Sequence, residues 1–268
     1  MKIAVCVKHV PDMQSERRLE DGTLVRGEDD VLNELDENAI EEAVSLTEDH
    51  GGQVVAFTMG PEDAEEAVAR ALQMGADRGV HICDDRLAGS DVFATAQVLA
   101  AAIQANQQDG PFDLVVTGMA SLDGMTSMLP AALATELNLP FVGLISEVTV
   151  EDRAVFGKRV ADGFEDVLRA PLPAVISVTD QVNDPRYPNF KQMAAARKKP
   201  VDTMALEELE QALQDVGCEI PVWHVGSQSS GANVLAARSA DEREAGTVVT
   251  DTGEGGRKLA AYLKEALQ

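Results

Sequence analysis

Short apolar runs along the first two thirds of the chain predict buried strands. The first run, Lys2–Lys8, is continuous and rich in β-branched residues, which is typical of a strand covered on both faces. Comparable runs follow at Gln53–Thr58, Val80–Cys83, Phe112–Thr117 and Ala174–Val178. We expect these segments to share one sheet.

Between the runs, apolar residues recur at helical spacing. The predicted helices begin at Asp36 and Ser90, each as an N-cap, at Pro61, and near Leu129, where Pro130 is tolerated in the first turn. Strands that alternate with helices in this way predict parallel βαβ units.

A different pattern begins at about Pro140. Three segments, Ile145–Val150, Ala154–Val160 and Phe164–Arg169, are separated by short turns and predict an antiparallel set. The expected fold class is therefore α/β. We predict a Rossmann-like three-layer sandwich with a mostly parallel central sheet, a small antiparallel addition and an extended C-terminal arm.

Helical and strand periodicity is lost beyond Asp180. Asn183–Lys191 has the composition of a loop, and a Gly- and acid-rich stretch at 226–256 separates predicted helices at Met204–Gln214 and Arg257–Leu267. Because this tail has too little apolar content to fold alone, we expect it to wrap a partner. The expected division is an α/β domain over 1–182, a loop region over 183–200 and a C-terminal arm over 201–268.

The charge of the 268-residue chain excludes several classes of ligand. A formal net charge of -24 repels nucleic acids and anionic lipid headgroups, so neither is an expected partner and no direct insertion into a membrane is expected. The same acidity is consistent either with adaptation to a salty cytoplasm or with an acidic docking face. No signal peptide and no apolar run of about 18 residues is present, which predicts a soluble cytoplasmic protein.

The cysteines and histidines give no sign of a metal or catalytic centre. Cys6, Cys83 and Cys218 are odd in number and lack C-x-x-C spacing, which argues against a disulfide framework and a zinc site. The four histidines are scattered without i, i+4 pairing, and nucleotide-loop and nucleophile-elbow motifs are absent. We therefore predict no catalytic residue and no metal site.

A ligand site is expected where the predicted parallel strands end. Cys6–Val10, Met59–Pro61 and Gly118–Thr126 would meet at this edge of the sheet, where open α/β folds bind ligands. The start of the helix after Thr126 would favour a phosphate. Alternatively, the glycines here only make turns, and Thr126 or Ser127 is an ordinary helix cap.

Several stretches together resemble the β-subunits of electron-transfer flavoproteins. The likeness extends from Met1 to about Pro200, and Ala71-Leu-Gln-Met-Gly-Ala-Asp-Arg-Gly79 is its most specific part. The other stretches that carry it are Val5–Asp12, Leu32–Asn33 with Ala39–Ala43, Leu172–Val175, Asn183–Tyr187 and Arg197–Lys199.

The resemblance implies an adenine-nucleotide-binding-like fold in a heterodimer. An α-subunit would hold most of the redox-active FAD, and the β-subunit would bind a structural AMP. Carried over by position, the residues touching AMP are Cys6, Asn33, Met59, Gly118, Asp123, Gly124, Met125, Thr126, Ser127, Met128 and Leu129. Met13 and Leu35 would lie near the FAD of the partner.

Two departures keep alternatives open. Many family members have an Asn-Gln-Thr run at the phosphate, where this chain has Ser127-Met128-Leu129. The Asp-Gly-x-Thr start at Asp123 also resembles members that bind a second FAD and oxidise NADH in electron bifurcation. A third alternative is a stand-alone adenine-nucleotide-binding regulator.

The same resemblance implies a docking loop for dehydrogenases. Tyr187–Met193 matches this loop, with Phe190 as its apolar anchor and Tyr187 and Lys191 beside it. Alternatively, Phe190 packs on its own domain. The function implied is transfer of electrons from flavin dehydrogenases, such as the acyl-CoA dehydrogenases of fatty acid oxidation, to a quinone oxidoreductase.

Overall fold

The computed structural model describes residues 1–15, 18–20, 23–232, 234–236, 238, 248 and 250–267. The chain divides into two compact units, Met1–Leu235 and Ala236–Gln268. The strands, in chain order, are β1 (Lys2–Cys6), β2 (His9–Pro11), β3 (Leu19–Glu20), β4 (Thr23–Leu24), β5 (Asp30–Leu32), β6 (Gln53–Met59), β7 (Arg78–Ile82), β8 (Leu114–Gly118), β9 (Phe141–Ile145), β10 (Glu147–Glu151), β11 (Ala154–Ala161), β12 (Phe164–Pro171), β13 (Ala174–Val178) and β14 (Val201–Met204). The helices are α1 (Glu34–His50), α2 (Glu65–Met74), α3 (Val92–Ala105), α4 (Leu129–Glu136), α5 (Phe190–Ala196), α6 (Leu206–Asp215) and α7 (Gly255–Ala266).

A seven-stranded sheet with the order β14-β7-β6-β1-β8-β13-β9 forms the centre of the first unit. All of its neighbouring strands are parallel, which confirms the predicted fold class. From β1 the chain builds outward to β6 and β7, and then returns to place β8 on the other side of β1. The strand order therefore reverses between β1 and β8, which is where such sheets bind ligands.

Helices cover both faces of this sheet because its strands are apolar on both sides. Ile3 and Val5 of β1 pack in one core with α1 and α2, whereas Ala4 and Cys6 pack in the other with α3, α4 and α6. The side chains of a strand alternate between faces, so the continuous apolar runs of the sequence fill two cores at once.

The predicted antiparallel set is confirmed as a second sheet with the order β10-β11-β12. The sequence did not separate β9 from it, since Ile145 was assigned to the first antiparallel strand. In the structure Ile145 ends β9, which pairs in parallel with β13 at the edge of the main sheet. The two strands are separated by only Ser146, so no turn signal marked the boundary.

Two predicted helix caps are wrong. Asp36 lies inside α1, which begins after Asn33, and its carboxylate instead accepts a hydrogen bond from the Lys8 amide at 2.9 Å. α3 is capped by Asp91, whose side chain accepts from the amides of Phe93 and Ala94, not by Ser90. In both places several cap-forming residues occur together, and tertiary contacts decide which one is used.

The stretch after Asp180, which shows no periodicity, contains two further elements. α5 has only seven residues, too few for a helical repeat to appear, and it begins with a capping box formed by Asn189 and Gln192. β14 has four residues and pairs with β7 at the edge of the sheet. The predicted loop therefore ends at Asn189, and Phe190 is the first residue of a helix.

The second unit contains α7, which confirms the predicted final helix. The Gly- and acid-rich stretch that precedes it lies partly outside the described residues. None of the helices in the described ranges combines the length and the apolar composition needed to cross a bilayer.

Lys199 ends the basic Arg197-Lys198-Lys199 run and contacts the C-terminal end of α2. Its Nζ donates hydrogen bonds to the carbonyls of Leu72 at 3.1 Å and Ala76 at 2.6 Å. Because the last carbonyls of a helix lack partners and carry the negative end of its dipole, the ammonium stabilises this end. Arg197 and Lys198 are exposed.

We expect Lys199→Met to lower the free energy of unfolding by about 1–2 kcal/mol, because it removes charge-assisted hydrogen bonds to half-buried carbonyls. Lys198→Met is the matched control, since it removes the same charge from an exposed neighbour and should change stability by less than about 0.5 kcal/mol. Urea unfolding measures both, and equal losses would contradict a capping role.

Candidate functional site

The carboxyl ends of β1 and β8 meet the first turn of α1 at Gly118. A β-carbon on Gly118 would lie 2.5 Å from Oδ1 of Asp36 and 2.6 Å from the carbonyl oxygen of Leu35. No side chain fits in that space. Gly118 therefore does more than make a turn, because it lets the helix rest directly on the end of the strand.

Asn33, directly before α1, joins this turn to the segment after β8. Its side chain is fully buried, donates to the Ala120 carbonyl at 2.9 Å and accepts from the Leu122 amide at 3.0 Å. An amide side chain that both donates and accepts replaces missing strand partners for that segment. Asn33 thereby fixes the backbone path that leads out of the sheet.

Asp123 is the next fixed point along this segment. Its side chain is 3% exposed and contacts Lys8, at 2.8 Å between Nζ and Oδ2, and Arg26. Burial alone would raise the pKa of Asp123, but the two cations outweigh burial and hold the pKa well below its usual range. The carboxylate stays ionised, and the cluster of two cations and one anion keeps a positive charge beside the crevice.

Asp36 and Cys6 lie beneath this cluster. Burial raises the pKa of Asp36 to about 7, although hydrogen bonds from Asn33 and the Lys8 amide oppose the shift. Burial, and then the charge of Asp36, raise the pKa of the Cys6 thiol to about 12. Cys6 is therefore protonated at neutral pH and lacks the thiolate that a nucleophile or metal ligand needs.

The segment from Gly124 to Met128 is exposed and leads into α4. Met125 and Ser127 have positive φ angles of 49° and 53°. Within the described part of the chain, the amides of Thr126, Ser127 and Met128 donate to no protein group. Free amides next to the N-terminal end of a helix form a binding site for an anion such as phosphate.

The structure brings together some of the residues that were predicted to bind the nucleotide. Cys6, Asn33, Gly118 and Asp123 surround the crevice between β1 and β8, and Met59 ends the adjacent strand β6. Thr126 and Ser127 are not helix caps, because Met128 occupies the N-cap position of α4 and no side chain caps it.

Met13 follows β2 and is 54% exposed, and Leu35 is half-buried in the first turn of α1.

Sequence reasoning predicted only a helix cap at Asp36 and gave Lys8 and Arg26 no individual role. Lys8 follows a buried strand directly, and a charged residue in that position indicates a polar edge of the sheet. Arg26 gives no comparable signal, since it comes to Asp123 from a segment 97 residues away in the chain.

The predicted docking segment is attached to α1. Arg186 donates to Glu41 at 2.8 Å and to Glu48 at 2.7 Å, and Asn183 exchanges amide hydrogen bonds with Asn38. Charge-assisted contacts of this kind fix a segment that has no strand partner.

The attached segment presents two aromatic side chains. Tyr187 is 86% exposed and lies 5.4 Å from the guanidinium of Arg70, and Phe190 is 88% exposed. Phe190 therefore does not pack against the unit Met1–Leu235, and the alternative in which it does is wrong.

Comparison with known proteins relates the chain to flavoproteins. A family model described as "Electron transfer flavoprotein domain" matches residues 21–209. The "Electron transfer flavoprotein subunit beta" of Mycobacterium tuberculosis is 41% identical over 97% of each chain, and that of Mycobacterium leprae is 39% identical over the same shares. The "Caffeyl-CoA reductase-Etf complex subunit CarD" of Acetobacterium woodii is 31% identical over 99% of this chain and 98% of its own.

The raised pKa of Asp36 predicts a loss of stability with rising pH. Between its ordinary value of 3.8 and the folded value of about 7, the folded chain keeps a proton that the unfolded chain releases. The stability contributed by this bound proton is fully present below pH 3.8 and is lost as the pH rises through 7. The corresponding loss in the free energy of unfolding is at most about 4 kcal/mol.

Asp36→Asn should remove this dependence, since an amide keeps a hydrogen-bond acceptor for the Lys8 amide and cannot ionise. The measurement is unfolding in urea at pH 5 and pH 8, with Glu34→Gln, an exposed carboxylate in the same turn, as the control. An equal pH dependence in the two variants would contradict the assignment to Asp36.

Proposed function

Because the chain belongs to the family of electron transfer flavoprotein β-subunits, we propose that it is the nucleotide-holding and docking half of a two-subunit electron carrier. The family works in electron transfer, and the name of its β-subunit implies an α-subunit partner in a heterodimer. The observation that carries the proposal is the crevice between β1 and β8, where Asn33 and Asp123 fix a loop whose backbone amides are free.

AMP fits the chemistry of this crevice. The free amides of Thr126, Ser127 and Met128 and the start of α4 suit a phosphate, and Lys8 and Arg26 add positive charge. The hydroxyl groups of Thr126 and Ser127 replace the polar side chains that other family members have there. The buried Cys6, Asn33 and Gly118 and the end of β6 at Met59 would form the base of the site for the nucleoside. Asp123, Gly124, Met125 and Leu129 complete the proposed loop.

FAD would be held mainly by the α-subunit. A bound flavin supplies the one- and two-electron redox chemistry that amino-acid side chains lack. The contribution of this chain would be the surface beside that flavin, for which the exposed Met13 and the half-buried Leu35 are the candidates. Since Cys6 stays a thiol, it would not compete as a redox group at this site.

Electron donors would dock at Tyr187, Phe190 and Lys191. An exposed aromatic side chain at the start of a capped helix, on a segment fixed by Arg186, is a suitable hot spot because its backbone needs little further ordering. The donors would be flavin dehydrogenases, acyl-CoA dehydrogenases among them, and the acceptor a quinone oxidoreductase.

The relative from Acetobacterium woodii favours one second candidate. Its printed name places it in a caffeyl-CoA reductase–Etf complex, so this family also serves complexes with a reductase. In the corresponding function for this chain, a second FAD would occupy the crevice instead of AMP and take part in electron bifurcation with NADH.

Nucleotide content separates the two candidates. After denaturation of the purified heterodimer, we expect one FAD and one AMP per pair of subunits, measured by chromatography and absorbance. Two FAD and no AMP would replace the carrier with the bifurcating complex. A stable monomer without nucleotide-dependent assembly would instead support a stand-alone regulator.

Gly124→Val tests where the AMP lies. A β-carbon at Gly124 would meet only Ser121 Oγ at 3.4 Å, so the substitution fits the fold but narrows the approach to the free amides. We expect AMP content to fall by half or more with FAD retained. Gly231→Val, at an exposed glycine whose β-carbon would meet only Asp91 Oδ2 at 3.5 Å, is the control. Full AMP content in Gly124→Val would place the nucleotide elsewhere.

Phe190→Ala should weaken reduction by the dehydrogenase by roughly 10-fold or more in kcat/KM, because it removes the exposed anchor. Flavin content should not change. Phe164→Ala is the control, since Phe164 is a similarly exposed aromatic residue on β12. The measurement is flavin reduction by an acyl-CoA dehydrogenase and its substrate. Unchanged kinetics for Phe190→Ala would exclude Phe190 from docking.

A further inference from the structure

One group of metal-ligating side chains lies outside the proposed nucleotide loop. His9, Asp30 and Asp63 each offer one ligand atom, and these atoms all lie within 4.8 Å of one another. His9 is buried, and the two aspartates are half-buried. The three residues are far apart in the sequence, so no motif indicated them.

The imidazole of His9 lacks the partners that a buried polar group needs. Its side chain is 6% exposed, and neither Nδ1 nor Nε2 has a hydrogen-bond partner among the described residues. The nearest carboxylate oxygen, Oδ2 of Asp30, is 4.0 Å from Nδ1, which is too long for a hydrogen bond. The Asp30 side chain is itself only 5% exposed. A buried imidazole and a buried carboxylate that do not bond to each other are costly unless something else binds both.

The fold brings the three residues together from three elements. His9 on β2 and Asp30 on β5 are diagonal neighbours, since His9 pairs with Leu32 and Asp30 with Pro11. Asp63 lies in the 3-10 turn Glu62–Ala64 that follows β6. Gly27 passes over this turn with a φ of 82°, and a β-carbon there would lie 3.2 Å from Oδ2 of Asp63. The Asp63 carboxylate therefore lies close to the backbone of Gly27.

We propose that His9, Asp30 and Asp63 form a binding site for a borderline divalent transition metal ion such as Zn²⁺. One imidazole nitrogen with two carboxylate oxygens is a donor set for first-row transition metals, whereas Mg²⁺ and Ca²⁺ prefer oxygen alone. Three protein ligands leave a further position for water. Two carboxylates and a neutral imidazole also balance the charge of a divalent ion.

The group could hold such an ion after a contraction of up to about 1.5 Å, since its ligand atoms lie within 4.8 Å of one another. Metal–ligand bonds of about 2.0–2.1 Å at tetrahedral angles separate ligand atoms by about 3.3 Å. The Nδ1 to Oδ2 distance of 4.0 Å is therefore longer than a bound ion needs by less than an ångström. His9 and Asp30 also line a cleft of about 530 Å³, which lies beside the group. A bound ion would tie the β2–β5 pair to the turn after β6.

Zn²⁺ binding to the full-length chain in its heterodimer tests the proposal. After removal of metals by a chelator, isothermal titration with Zn²⁺ should show one site that His9→Asn weakens by on the order of 100-fold or more, since it loses a direct ligand. Asp63→Asn should weaken binding in the same way and serves if His9→Asn does not fold.

Two matched control variants distinguish Zn²⁺ binding at the proposed site from binding to other exposed groups. Asp29→Asn removes a neighbouring exposed charge, and His50→Asn removes an exposed histidine at the end of α1. Both should bind Zn²⁺ like the unaltered chain, and Zn²⁺ should raise the melting temperature of both but not that of Asp63→Asn.

Three results would overturn the proposal. One is the absence of a stoichiometric Zn²⁺ site. Another is Zn²⁺ binding that His9→Asn and Asp63→Asn leave unchanged. The third is equal binding of Ca²⁺ in His9→Asn and in the unaltered chain, which would show a carboxylate site without the imidazole.

Discussion

The rest of the site depends on the direct contact between the first turn of α1 and the end of β8 at Gly118. The contact is close enough that even one methyl group at Gly118 would collide with Asp36. It also buries the Asp36 carboxyl group, fixes Asn33 over the outgoing segment and brings Lys8 within reach of Asp123. The path of the segment Gly124–Met128 thus follows from the packing of one helix on one strand. The proposed phosphate site would tolerate the residues Ser127-Met128-Leu129, because it would consist mostly of backbone amides, which no substitution short of proline removes.

α1 supports two regions that lie far apart in the sequence, the segment after β8 and the segment before α5. Its first turn holds the crevice through Asn33 and Asp36, and its later turns hold the docking segment through Asn38, Glu41 and Glu48. Two acidic residues, Glu41 and Glu48, therefore make internal contacts with Arg186. Neither a salty environment nor an acidic docking face is needed to explain those particular carboxylates.

Much of the fold could be predicted from the sequence, because strands buried on both faces and the helices between them leave a strong apolar pattern. The missed elements are short or lie at the edge of the sheet, so few of their residues carry a periodic signal; they are β2, β3, β4, β5, β9, α5 and β14. Strand order alone placed the candidate site at the carboxyl ends of the parallel strands. The contacts of Lys8, Arg26 and Asp36 were not predicted because they join distant segments of the chain. His9, Asp30 and Asp63 come together only through β-pairing and a turn.

The double attachment of α1 sets a limit on how the chain can vary in length. Each residue added within the helix turns everything beyond it by about 100°. An insertion between Asn33 and Glu48 would rotate Glu41 or Glu48 away from Arg186. An insertion after His50, at Gly51 and Gly52, would leave the contacts at both ends of α1 unchanged. The spacing between the crevice at Gly118 and the segment held by Arg186 is therefore fixed by helical register, and changes in chain length are tolerated only in the turn that follows α1.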